Sequence, residues 1–147
     1  MKHTCLKIAG GALGLLLFTL SPASGQTNDL AGFAGDWTNK DFQTRDITRV
    51  QIRVIGGHVR LHAWGRCHPK ECDAGEGIAI VKGQGLSAAW KQPFALRTLE
   101  LTLLADGSLQ LSEQTHFTDN SGRKDSSFTN TLVKGLVHDW SDPAPPK

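Results

Sequence analysis

From Ile47 to Ile55 apolar and polar residues alternate, with Val50, Ile52 and Val54 set against Arg49, Gln51 and Arg53. A period of two sends the two sets to opposite faces of an extended chain, so the stretch predicts a strand with one buried face. Gly56-Gly57 follows, a pair that closes a two-residue hairpin because glycine accepts positive φ. His58 to Trp64 then returns with Val59, Leu61 and Ala63 on one face and His58, Arg60, His62 and Trp64 on the other. Ordinary patterning turns the apolar set inward and leaves the polar set as a solvated outer face. The opposite orientation would line a polar cavity with His62 and Trp64 and push Val50, Ile52 and Val54 outside.

The same pattern recurs along the chain. Phe33 to Asn39, Gly77 to Val81, Leu86 to Lys91, Phe94 to Leu104, Leu109 to Thr118 and Ser126 to Val133 bring the strand candidates to eight. Gly83-Gln84-Gly85, Asp106-Gly107 and Asp119 to Gly122 supply turns between them, and Pro93 breaks one run. No amphipathic helix is expected. Strands joined by short hairpins are antiparallel neighbours, and eight of them can close on themselves and so remove exposed edges. The expected fold is therefore all-β, an eight-stranded antiparallel up-and-down barrel over 33–135, with a two-sheet β-sandwich as the alternative.

The ends of the chain follow other rules. Lys2, His3 and Lys7 precede an apolar run from Ile8 to Leu20, and Ser21 to Gly25 offers small residues for cleavage. That is the layout of a signal peptide over 1–25, cut after Gly25, and the apolar run is shorter than the roughly 18 to 20 residues that span a bilayer. Residues 26–32 read as a flexible lead-in and 136–147 as a Pro-rich tail. The mature protein is expected in the periplasm or secreted, with no transmembrane segment.

Losing the leader changes charge and cysteine count. Of 16 Lys and Arg, Lys2 and Lys7 leave with it, so the remaining basic residues balance the 14 Asp and Glu. Bulk charge then argues against a nucleic-acid partner. Of three cysteines Cys67 and Cys72 remain, close in sequence and in an oxidising compartment, where a disulfide is expected. Closing so short a loop contributes about 2 kcal/mol by chain entropy, enough to order a loop but not to replace a core. The alternative is a metal site from His62, Cys67, His68 and Cys72, which would need thiolates that such a compartment opposes.

No nucleophile elbow, zinc-protease helix or phosphate-cradling loop occurs, so no enzymatic activity and no cofactor are expected. Arg97 and Glu113 interrupt apolar faces on neighbouring strands. They are expected as an exposed cross-strand pair at the barrel rim, since isolated buried charges are costly.

Gly35-Asp36-Trp37-Thr38-Asn39 resembles the Gly-x-Trp start of the calycin barrels, the lipocalins, fatty-acid-binding proteins and avidins, and Gly-x-Trp-x-Asn is most similar to avidin. The resemblance implies a barrel whose tryptophan, Trp37 here, seals the closed end, and a ligand contact at Asn39. The chain has no tyrosine, which an avidin pocket uses on biotin, so the resemblance supports the barrel and not biotin. Ile47-Thr48-Arg49-Val50-Gln51-Ile52, with the stretch from Trp64 to Asp73, is similar to a group of exported bacterial domains and implies no activity. The expected function is binding of a small, partly apolar ligand, with Trp37, Asn39, His62, Trp64 and Trp90 as contacts. The alternative is a protein-interaction or inhibitor module acting through the disulfide loop 66–72, and a second alternative is a metal-binding protein.

Overall fold

The computed structural model describes residues 30–141, so the predicted leader and the end of the proline-rich tail lie outside the described residues. A short helix α1 (Leu30–Phe33) precedes eight strands: β1 (Gly35–Asn39), β2 (Ile47–Ile55), β3 (His58–Arg66), β4 (Glu71–Lys82), β5 (Gly85–Gln92), β6 (Ala95–Leu103), β7 (Leu109–Phe117) and β8 (Ser126–Lys134). Each strand pairs antiparallel with the next, and β1 also pairs with β8 through Thr38 opposite Val133, so the sheet closes into an up-and-down barrel. This is the expected barrel rather than the sandwich.

Alternation decides what fills it. Val50, Ile52, Val59, Leu61, Leu99, Leu101, Leu109 and Leu111 all point inward and are buried. On β3 the outward set is His58, Arg60, His62 and Trp64, the solvated orientation rather than the cavity-lining one. One extra residue, Thr48, bulges from β2 where Ile47 pairs with Gly65 and Arg49 with Trp64. Its hydroxyl donates to the Trp64 carbonyl.

One end of the barrel is plugged. Leu30 and Phe33 of α1 pack against the core, and Trp37, 1% exposed, donates from its indole Nε1 to the Phe33 carbonyl at 2.8 Å. Residues 30–33 were expected to be loose lead-in and the start of a strand. Four residues are too few to show a helical period, and the turn forms because the barrel end supplies its packing. The other end carries the connections β1–β2, β3–β4, β5–β6 and β7–β8 and remains open.

Two further differences from expectation matter. The strand expected over Gly77 to Val81 begins at Glu71, and Gly75 and Gly77 within it make room for an aromatic ring. Trp90 shares the inward face of Leu86 and Ala88, and its indole donates to the Ala74 carbonyl at 2.9 Å. A Cβ on Gly75 would lie 2.1 Å from Trp90 Nε1, at a φ of +112°. Gly75→Ala is therefore expected to destabilise the fold by about 2–4 kcal/mol in urea unfolding, combining overpacking with backbone strain. An effect below about 0.5 kcal/mol, the level of a neutral surface change, would show that ring and glycine are not interlocked.

The chain after β8 is the second difference. It climbs the outside of β1: Gly135 N donates to Asp36 O, and Thr38 Oγ1 to Leu136 O. His138 stacks on Phe42 at 3.9 Å between centroids, Arg66 donates to the Trp140 carbonyl, and Trp140 is only 4% exposed. This part of the expected tail is packed against the barrel.

Candidate functional site

The open end holds a cleft of about 350 Å³. Its walls are Phe94, Phe117 and Phe128 with Ala74, Gln92 and Ser126, and its rim runs through Arg45, Gly65, Arg66 and the Cys67–Cys72 disulfide. The register explains how the aromatics meet. Ala95 pairs with Phe117 and Glu113 with Phe128, so both phenylalanines sit above the last filled layer of the core, on the inward face. Phe128 is inward in parity yet exposed, because nothing fills the barrel above it.

The floor is charged. Arg97 Nη1 donates to Glu113 Oε1 at 2.6 Å, Arg97 Nε to Gln92 Oε1 at 3.2 Å, and Thr115 Oγ1 to Glu113 Oε1 at 3.0 Å. Glu113 is 3% exposed. The pair had been expected at an exposed rim; instead the carboxylate is buried inside the barrel. The burden of desolvating it is met by a guanidinium and a hydroxyl together, which is what a buried ion requires.

Asp46, at the end of the β1–β2 loop, also faces the cleft. Burial, and then the nearby Glu113 carboxylate, push its pKa above the ordinary aspartate value, while Asn130 and Arg97 pull the other way. The Asn130 amide lies close enough to Asp46 to favour its ionised form but outside hydrogen-bond geometry, so its buried Nδ2 has no partner. Its Oδ1 accepts from Asn39 Nδ2 at 3.0 Å.

The five expected ligand contacts do not converge. Trp37 is in the plug. Asn39 is 1% exposed, and its side chain is spent on the fold, donating to Ile47 O at 2.7 Å and accepting from Asp41 N at 2.9 Å. Trp90 lies inside the barrel, against the glycines of β4. His62 and Trp64 are on the outer surface. There Trp64 is sandwiched, with His62 3.9 Å away on one side and the Arg49 guanidinium 3.5 Å from its centroid. Glu71 Oε2 holds Arg49 Nε at 2.8 Å, and Asp73 Oδ1 contacts His62 Nε2 at 2.9 Å. Burial would raise the Asp73 pKa, but bonds from His62 and from Gly75 N outweigh it and leave it lowered.

Cys67 and Cys72 are joined, with Cα atoms 5.6 Å apart, as expected. Neither sulfur is then free to serve the alternative metal set, and of its histidines His62 is engaged with Asp73 while His68 lies in the exposed hairpin tip. Among the described residues no group of three His, Cys, Asp or Glu is arranged to hold a metal ion.

Of the residues that line the cleft, Arg97, Glu113, Cys67 and Cys72 had been singled out in the sequence, whereas its aromatic walls and Asp46 had not. Phe117 and Phe128 carried a signal in their parity with Thr115 and Ser126, but Phe94 and Asp46 lie in loops, where no period marks a face. Comparison with protein-family models, with curated proteins and with solved structures returns no match.

Proposed function

We propose that this protein is an exported barrel of calycin type that holds a small, partly apolar ligand in its open mouth and does no chemistry on it. One observation carries the proposal: an aromatic-walled cleft at the unplugged end, with an ion pair buried in its floor. A volume of about 350 Å³ falls at the lower end of the roughly 300–1,000 Å³ that ligand pockets occupy. Apolar walls with a few convergent polar groups are the usual composition of such sites. The Gly35-x-Trp37 start and the plug around Trp37 support the calycin type, and the disulfide supports export.

The test uses a reporter. Phe128→Trp places an indole at the rim, and titration with a metabolite library should shift its emission for at least one compound, with the same compound moving amide signals of β6–β8 in NMR spectra. Signals that stay still throughout the barrel mouth across the library would overturn the proposal.

A second role is favoured by the rim. His68, Pro69 and Lys70 are exposed between the joined cysteines, which presents the loop 66–72 as a projecting, constrained segment. Partner capture that fails with Cys67→Ser/Cys72→Ser, while mouth ligands still bind, would assign recognition to that loop.

A further inference from the structure

We infer that the outer face of β4 is where two copies of this chain associate, β4 packing on β4 in antiparallel about a two-fold axis. This stands apart from the ligand proposal, because the face lies on the outside of the barrel.

The strand is regular from Gly75, opposite Ala63, to Lys82, opposite Gly85, so alternate residues keep one orientation along it. Ala79 is buried and points inward, and Glu76, Ile78, Ile80 and Lys82 therefore all point outward. Ile78 and Ile80 are 55% and 66% exposed, two large apolar side chains in succession on one face, with a charge of opposite sign at each end. A strand face left to water usually carries polar residues at such positions. Covering the two isoleucines supplies a driving force, and the charges say what covers them. The order acid, isoleucine, isoleucine, base is complementary to itself. When a second copy lies against it in antiparallel, Glu76 of each falls opposite Lys82 of the other and Ile78 opposite Ile80, the reciprocal contact that an isologous interface requires. A parallel arrangement would set Glu76 against Glu76 and Lys82 against Lys82, so the charges also select the orientation. The flanks agree. Ser87 of β5 pairs opposite Ile80 and Ala89 follows it on the outer face, so small side chains meet small ones beside the isoleucines. Glu76 is held by Arg60 at 3.3 Å and Lys82 by Glu100, both pairs in solvent. Joining two copies extends these pairs into an alternating row, Arg60 and Glu76 of one copy with Lys82 and Glu100 of the other.

The experiment is analytical ultracentrifugation of the full chain over a concentration series, with circular dichroism to check the fold of each variant. The protein should sediment as a dimer that dissociates on dilution. Glu76→Lys and Lys82→Glu each set like charges opposite one another across the contact, and each should raise the dissociation constant at least about tenfold. An equimolar mixture of these two variants should associate again. Glu76→Lys/Lys82→Glu should recover as well, because exchanging the two ends restores the self-complementary order. Within its own chain that double variant sets like charges beside Arg60 and Glu100, so its recovery can arise only across the interface. Ile80→Thr keeps a β-branched residue at an exposed strand position and should fold, yet weaken association in the same assay. A monomer even at millimolar concentration would overturn the second copy as occupant of this face. A dimer indifferent to both charge reversals and to Ile80→Thr would overturn the face itself. Association as weak in the double variant as in the single ones would overturn the antiparallel pairing.

Discussion

Arg97→Met is expected to lower the free energy of unfolding by about 3–5 kcal/mol in urea titration at neutral pH, the cost of removing one partner of a buried pair. Glu113 is almost wholly enclosed, and without Arg97 its carboxylate retains only the Thr115 hydroxyl. Asp46 stands close enough to add repulsion. The companion variant Arg97→Met/Glu113→Leu should recover most of the loss, because two apolar side chains of similar volume need no desolvation. The contrast between single and double variants is the informative quantity. If Arg97→Met alone costs less than about 1 kcal/mol, the pair behaves like a solvent-screened surface contact, and the floor of the cleft is not the low-dielectric site described above.

That pair also shows where reading a sequence stops. Alternation along β2, β3, β6 and β7 was enough to assign faces and, with Gly56-Gly57 and Asp106-Gly107 as hairpins, to order the strands around a barrel. Period tells which face a residue is on. It does not tell how high in the barrel the filled core ends, so Arg97 and Glu113 could be placed on the inward face and still be read as exposed. Asn39 misled for a related reason. Its partners are Ile47 O and Asn130, the latter 91 residues away, and a buried amide satisfied by the fold is indistinguishable in sequence from one waiting for a ligand. β4 was expected only from Gly77 to Val81; in the folded chain it starts at Glu71, and Gly75 and Gly77 are the recess that admits Trp90, a packing role that no periodicity displays. Trp140 was set aside with the proline-rich tail because nothing local shows that Arg66, Phe42 and His138 gather around it.

Trp37 is the position where stability and ligand contact make opposite forecasts. As a plug, its indole fills the barrel end, hydrogen-bonds Phe33 O and carries Lys134 Nζ 4.9 Å from its ring, with that ammonium donating in turn to Gly32 O. Trp37→Ala should therefore cost about 3–5 kcal/mol, the range for emptying a large aromatic site, and should release α1 as well, since Phe33 loses the ring it packs beside. Trp37→Phe keeps most of the area but strands the Phe33 carbonyl, for a loss of about 1–2 kcal/mol. Hydrogen exchange would show the release of α1 directly, as faster exchange at Ala34, whose amide donates to Leu30 O. Mouth ligands should bind Trp37→Phe as they bind the unaltered protein, because the leucine layers of β6 and β7 separate the plug from the cleft. Loss of binding in Trp37→Phe with stability unchanged would instead place a ligand at the plugged end and reverse the orientation assigned to the barrel.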